Sequence, residues 1–338
     1  MEIIGWDIGG AHIKVSKINF SKEKTITKQL YCPVWMNINN LNKSILKIIK
    51  QLGRSDYHAI TMTAELSDIF KNRNKGTKKI INILCEILSE KKTFFYSNAK
   101  PFLKKKEALK KTNNINSMNW HATANFISDF YPNCILVDIG SSTTDIIPIK
   151  KKRVIAKGTN DYKRLLFNEL IYFGVIRTPI TAIEKKKNLI YENFANLGDI
   201  YRVLNKLPKK IDLGPSQDNK SKSKNDSARR IARSFGKDYK KNDFNKWKKV
   251  ALQIEKKQKK ILKDNINKIK KKNFSSSIPI IGAGVGEFLI RNIYSKNNYF
   301  TFYSKLKSIK KINAINCEAA ISVAKLLNSF LKNKRSKF

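Results

Sequence analysis

Residues 135–149 read Ile135-Leu-Val-Asp138-Ile-Gly140-Ser-Ser-Thr-Thr-Asp145-Ile-Ile-Pro-Ile149. The run Ile135–Val137 has no polar interruption, the pattern of a strand buried on both faces. Asp138 then puts a carboxylate at the strand end. Gly140, Ser141, Ser142, Thr143 and Thr144 make a tight turn of small and hydroxylated residues, and Asp145 opens a second strand. With no bulky Cβ in the way, backbone N–H groups and short hydroxyls can converge on an anion. An ordinary β-hairpin with a polar turn would read the same way.

The N-terminus repeats the pattern. Residues 2–14 (EIIGWDIGGAHIK) give an apolar strand, then Asp7, Gly9 and Gly10, then a second strand carrying Lys14. The two strand–Asp–x–Gly–strand units lie roughly 130 residues apart. Such a separation predicts two similar lobes facing each other across a cleft, each with a phosphate-binding hairpin. A third glycine turn, Gly282-Ala-Gly284-Val-Gly286, follows the apolar Ile280–Ile281 and precedes a helix-like segment. It is a candidate site for a phosphate or nucleotide at a helix N-terminus.

With 338 residues and 41% hydrophobic content the chain can build two cores and is too apolar to be disordered. No apolar run approaches the roughly 20 residues needed to span a bilayer. The start, directly in a strand with Glu2, offers no basic-then-apolar leader. The expectation is a cytoplasmic protein without a membrane partner. The four cysteines (Cys32, Cys85, Cys134, Cys317) lack CxxC spacing and read as buried thiols.

The formal charge of +43 invites a nucleic-acid partner. Against that, the lysines are dispersed, aromatic interleaving is sparse and no nucleic-acid module is recognisable, so a solvated surface is the favoured reading. The positive field would still concentrate small anions.

In order along the chain, strands are predicted at 2–7, 11–19 and 25–32, a helix at 40–52 and a buried strand at 57–63. Glu65 and Asp68 follow that strand, either as carboxylates on a cleft wall or within a capped helix start. A helix at 114–130 carries Asn119, Trp120 and His121. His121 is titratable and near the candidate site, but a lone histidine is more often a structural hydrogen-bonder. From Thr159 to about Lys272 helical patterns dominate, with a polar loop at 214–227. Within this region Glu169, Tyr172 and Arg177 interrupt apolar sequence. Arg177 could clamp a phosphate or carboxylate, or pair with Glu169 in a buried salt bridge. A lysine-rich helix at 246–271 and a C-terminal helix at 317–331 complete the pattern. The lobes are expected at 1–132 and 133–338, with a helical insertion at about 160–272 in the second.

Asp7-Ile-Gly9-Gly10 with Lys14, Asp138-Ile-Gly140-Ser141 with Thr143, and Gly282-Ala-Gly284-Val-Gly286 resemble the phosphate and adenosine motifs of the actin, sugar-kinase and Hsp70 superfamily. GWDIGGAHIK, MTAELSD, NWHATA, VDIGSSTTDIIPI, ELIYFGVIRTPI, NFANLGDIYRVL, DSARRIAR and GAGVGEFL together resemble hydantoinase A/oxoprolinase-related proteins of the tetrahydromethanopterin-linked one-carbon pathway. That resemblance runs from residue 3 to about residue 327. It departs at Ser142, where the family usually has threonine, and at His121, usually apolar.

The resemblance implies an α/β, two-lobed actin-like ATPase (ribonuclease H-like) fold. It implies a transferase of methanofuran biosynthesis, condensing a furanylmethyl diphosphate with a γ-glutamyltyramine-type phenol and releasing diphosphate. By matching position, Gly9, Gly10 and Lys14 fall on the first phosphate hairpin, and Gly140, Ser141, Ser142, Thr143 and Thr144 on the second. Gly282, Gly284 and Gly286 fall on the adenosine-type turn. Glu65, Asn119, Glu169, Tyr172, Arg177 and Thr178 fall on shared positions. Asp7 and Asp138 would hold Mg²⁺, and Glu65, Glu169 and Asp145 are the candidate bases. ATP is not required in this reading. An ATP-dependent kinase or oxoprolinase-type hydrolase is the first alternative, and a non-catalytic basic scaffold the second.

Overall fold

The computed structural model describes residues 1–294, 298–306 and 316–336. The chain divides into two units. Unit one comprises Met1–Pro132, Lys151–Val154 and the chain from Phe302 onward; unit two comprises Asn133–Lys150 and Ile155–Thr301. Each has its own mixed sheet with helices, an α/β architecture.

Unit one is built on β1 (Glu2–Ile8), β2 (His12–Asn19), β3 (Lys24–Tyr31), β4 (Tyr57–Met62), β5 (Thr93–Tyr96) and β6 (Phe102–Leu103), in the order β3-β2-β1-β4-β5-β6. The first three strands form an antiparallel meander, and β1, β4 and β5 run parallel. β1 is buried from Ile3 onward because it is central, whereas the edge strand β3 has no buried residue and carries the exposed Lys24 and Ile26. Strand alternation sends Ile4, Trp6 and Ile8 to one face. There they join Leu41, Ile45 and Ile48 of the helix Asn39–Leu52 and Ile80, Ile81 and Leu84 of the helix Arg73–Leu88 in one apolar core.

Ile3, Gly5 and Asp7 take the opposite face. Against it packs the C-terminal helix Glu318–Arg335, which also touches β2, β4 and the helix Asn119–Ser128. A Cβ at Gly5 would lie 1.9 Å from the carbonyl oxygen of Ala320, so glycine is what lets the helix backbone approach. The expectation that this helix belongs with the second lobe is therefore corrected: it completes the first sheet. A short strand β9 (Arg153–Val154) also falls to unit one.

Unit two pairs β7 (Cys134–Ile139) antiparallel with β8 (Thr144–Lys150). Its strand order is β10-β8-β7-β11-β12, with β10 (Leu170–Ile171), β11 (Ile280–Ala283) and β12 (Tyr299–Thr301). β7, β11 and β12 are parallel. Between β10 and β11 lie the helices Leu197–Val203, Lys224–Ser234 and Phe244–Asn273. The last buries Trp247, Ala251, Ile254, Leu262, Ile266 and Ile269 and turns its lysines outward.

The polar stretch at 214–227 is not all loop. Ser223 caps the helix from Lys224, accepting from the Asp226 amide. Asp218 accepts from Arg230 at 2.9 Å, and Arg230 also bonds the fully buried Asp199. Charge pairing, not apolar burial, orders this segment, and charge pairing leaves no hydrophobic period to read. The four cysteines are free and buried. Among the described residues no helix is long and apolar enough to cross a membrane.

Candidate functional site

The first hairpin follows from the β1–β2 register, which sets Asp7 opposite Lys14. Lys14 Nζ lies 3.2 Å from Asp7 Oδ2. Asp7 is 3% exposed, and its Oδ1 is buried with no hydrogen-bond partner. A lone oxygen of that kind suits a cation or a bound water. The Gly9–Ala11 turn is closed by Gly9 N–H donating to the His12 carbonyl.

The loop after the parallel neighbour β4 lines this turn, since Thr63 N–H donates to the Ile8 carbonyl and a Cβ on Gly10 would meet Ser67 Oγ at 3.0 Å. β1 and β4 thus end together, at the carboxyl edge where open parallel sheets take ligands. Glu65 sits in that loop, in the 3₁₀ turn Ala64–Leu66, and is 1% exposed. Ser117 Oγ donates to its Oε1 at 2.7 Å and Oε2 has no partner. Burial pushes this carboxyl above the usual range.

The second hairpin differs in its surroundings. Asp138 and Asp145 face each other across β7–β8. Asp138 is half-buried, whereas Asp145 is bound by Arg164 at 2.7 Å. Burial pushes the Asp145 carboxyl up and the guanidinium pulls it the other way. The turn is closed by Gly140 N–H donating to the Thr143 carbonyl at 2.9 Å.

Residues 173–178 lie along this turn. Val175 N–H donates to the Gly140 carbonyl, and the Ile176 and Arg177 N–H groups to the Ser141 carbonyl. Thr144 Oγ1 donates to the Phe173 carbonyl, and Gly174 N–H to Thr178 Oγ1. A Cβ on Gly174 would lie 2.4 Å from the Gly140 oxygen, so only glycine fits. The exposed Arg177 donates Nε–H to Ser142 Oγ at 2.6 Å.

Arg177 therefore reaches the hairpin and does not pair with Glu169. Glu169 instead accepts from the Lys157 and Gly158 amides through its two oxygens, at 2.6 and 2.8 Å. The buried salt bridge anticipated between Glu169 and Arg177 is thus not formed. The Glu169 carboxylate pins the chain entering the helix Asp161–Leu166.

The third glycine turn closes over β7. Gly286 N–H donates to the Ile139 carbonyl, and a Cβ on Gly284 would lie 2.4 Å from Asp138 Oδ1. Gly282 lies within β11 against Tyr299. The helix that follows, Glu287–Arg291, is five residues long. Elsewhere, His121 Nδ1 shares a 2.9 Å hydrogen bond with Tyr96, and Asn119 Oδ1 accepts from the Trp120 amide. Tyr172 is exposed beside the second turn. Sequence reasoning missed Arg164 and Gly174. Gly174 falls inside ELIYFGVIRTPI, but only the fold places it on the hairpin.

Comparison with known proteins agrees with this fold. The sequence profile of the hydantoinase/oxoprolinase family matches residues 56–325. A relative from Methanocaldococcus jannaschii, (4-{4-[2-(gamma-L-glutamylamino)ethyl]phenoxymethyl}furan-2-yl)methanamine synthase, is 32% identical over 340 residues, spanning 97% of this chain and 98% of the relative. The chain belongs to the hydantoinase/oxoprolinase family. A second relative of the same name, from Methanococcus vannielii, is 33% identical over 192 residues, 54% of this chain and 85% of that one. Both bear the name of an enzyme.

Among solved structures, nucleotide-free acetone carboxylase, from a study of ATP-dependent acetone carboxylation, superposes with a TM-score of 0.57 at 10% identity. The match covers 96% of this chain and 70% of that one. That likeness speaks for the fold: two α/β units of the actin-like, ribonuclease H-like class, the second carrying the helical insertion.

Proposed function

We propose that this family member is an alkyl transferase of one-carbon-carrier biosynthesis. It would join a furanylmethyl diphosphate to the phenol of a γ-glutamyltyramine-type acceptor. The observation that carries the reading is the match over 97% of the chain to an enzyme whose name specifies a phenoxymethyl-furan ether. In the reaction the phenol oxygen bonds to the furylmethyl carbon, the carbon–oxygen bond to diphosphate breaks, and the phenol gives up its proton.

In unit one, Lys14 and the small-residue turn at Gly9 and Gly10 would bind diphosphate oxygens. In unit two, the hydroxyls of Ser141, Ser142 and Thr143 and the fork of Arg177 suit the same task. Donors set in place beforehand stabilise the charge that grows on the leaving group. The unpartnered, buried Asp7 Oδ1 fits a magnesium ligand. Mg²⁺ is ordinarily held by one or two carboxylates together with phosphate and water, so the lack of a larger cluster of metal-ligating side chains among the described residues is compatible with it. Mg²⁺, if held by Asp7 on the first hairpin or by Asp138 on the second, would add Lewis-acid stabilisation of the diphosphate.

Glu65, Glu169 and Asp145 are committed to Ser117, to two amides and to Arg164. We assign them to positioning the two turns. On the second hairpin Asp138 and Asp145 are both half-buried, and Asp145 is held by Arg164.

The test is incubation of the purified chain with Mg²⁺, furanylmethylamine diphosphate and γ-glutamyltyramine. The expected result is stoichiometric diphosphate and the mass of the coupled ether, unchanged by adding ATP. The second reading, an ATP-dependent kinase or hydrolase, is favoured by the fold shared with an ATP-dependent carboxylase. ATP consumption without ether formation would establish it and overturn the first.

A further inference from the structure

Of the four tryptophans, Trp6, Trp120 and Trp247 are buried, at 0%, 6% and 2% exposure. Trp35 is 51% exposed, and its neighbour Met36 is 62% exposed. Large apolar side chains left adjacent in water forfeit burial energy, and such patches tend to mark binding surfaces.

The segment that presents them is rigid and tied to the first hairpin. Cys32 N–H donates to the Ala11 carbonyl and Val34 N–H to the Gly10 carbonyl, each at 2.9 Å. Cys32 and Val34 are fully buried beneath. Met36 N–H closes a turn onto the Pro33 carbonyl at 3.1 Å, and Asn40 Nδ2 donates to the same oxygen at 3.1 Å. Bond lengths along that path put the Trp35 Cα no more than about 8 Å from the Gly10 carbonyl oxygen. Tyr31, 37% exposed, stands edge-on to His12 at the same end of the sheet.

We infer that Trp35 and Met36 form an apolar ledge that receives the planar aromatic ring of a substrate whose phosphate lies on the Gly9–Gly10 turn. The inference rests on the proposed function for the phosphate. The occupant is a flat, weakly polar ring one methylene from a phosphoryl group. A flat ring can stack on an indole, and a thioether adapts to its edge. The ledge sets ring specificity, and the hairpin holds the charge.

The test uses the full chain with Mg²⁺ and two probes, inorganic diphosphate and a furylmethyl diphosphate analogue whose ester oxygen is replaced by a methylene, so that the carbon–oxygen bond that breaks in the reaction is absent. As the one exposed indole, Trp35 dominates acrylamide quenching of the protein's fluorescence. The furylmethyl probe should reduce that quenching several-fold, and inorganic diphosphate should not. By calorimetry the furylmethyl probe should bind at least tenfold more tightly than inorganic diphosphate. Trp35→Ala should erase that ratio while leaving inorganic diphosphate affinity and the melting temperature unchanged, and Trp35→Phe should keep most of it. A ratio that survives Trp35→Ala and Met36→Ala overturns the ledge. So does a wild-type dimer that Trp35→Ala splits with the ratio intact, since the occupant is then a second copy of the chain. If neither probe binds the wild-type protein, the diphosphate reading falls and takes the ledge with it.

Discussion

The two hairpins share a plan and differ in how they are finished. In the first, the strand-end carboxylate Asp7 is buried against Lys14, and the glycine turn meets a side chain, Ser67. In the second, Asp138 is half-buried, its cross-strand neighbour Asp145 is taken by Arg164, and backbone at 173–177 lies along the turn. Main-chain bonds bracket both turns, and the crowding differs: a Cβ on Gly10 would meet only the Ser67 hydroxyl, whereas one on Gly174 would meet the backbone of Gly140–Ser142. The first hairpin keeps a buried carboxylate oxygen without a hydrogen-bond partner, while the second has its neighbouring acid held by an arginine.

The sharpest way to break this comparison is to remove each strand-end charge. Asp7→Asn and Asp138→Asn should each cut ether formation by about 10³-fold, the scale of losing a main electrostatic contact in a transition state. Both variants should melt near wild type. Near-normal turnover in both would remove the two hairpins from the chemistry.

The Arg164–Asp145 pair is tested next. Arg164→Met strands Asp145 beside a buried partner site and should cost about 3–5 kcal/mol in urea unfolding of unit two. Arg164→Met with Asp145→Leu removes the stranded charge and should recover most of that loss. Equal instability in single and double variants would mean that Arg164 acts by packing alone.

A smaller effect separates the two turns directly. Gly174→Ala drives a methyl into the backbone of Gly140–Ser142 and should cost about 1–3 kcal/mol, with reduced turnover. Gly10→Ala meets only the hydroxyl of Ser67, which can rotate, and should stay within about 0.5 kcal/mol. The reverse order would show that the first turn is the rigid one.

Both hairpins were legible because apolar strand, aspartate, glycine and apolar strand are local signals, and the strands fall within a residue or two of where the pattern puts them. The lysine-rich helix, expected at 246–271 and found at Phe244–Asn273, was legible from its period. The C-terminal helix was not assigned to its sheet, because a helix's apolar stripe does not say which sheet it covers; Gly5, inside a strand that reads as purely apolar, was the one available sign of a close approach. The fates of Glu169 and Arg177 were not legible either. Eight positions apart, they read as a pair, but the left-handed Asn168 and the turn before Gly174 send one to the Lys157–Gly158 amides and the other to Ser142. Long-range polar partners such as Arg164–Asp145 and Arg230–Asp199 carry no periodic signature.

Each hairpin has a further acid beside it, and the two differ in their partners. Asp145 has an arginine; Glu65 has a serine hydroxyl on one oxygen and nothing on the other. Burial raises the Glu65 carboxyl above its ordinary 4.5, with the Ser117 bond and the Arg73 charge opposing. The folded state therefore holds this proton more tightly than the unfolded chain. The stability that the proton confers is complete below pH 4.5 and is lost as pH rises through the raised folded-state value. Glu65→Gln keeps an acceptor for Ser117 and has no proton to lose. Its melting temperature should match wild type at pH 4 and exceed it by a margin that widens toward pH 8. A margin that is flat with pH would mean that Glu65 is ionised in the folded protein. The same variant should keep most of its turnover, because the amide oxygen still accepts from Ser117 and holds the loop beside the turn; a collapse in kcat with the melting curve intact would return Glu65 to the chemistry of the first hairpin.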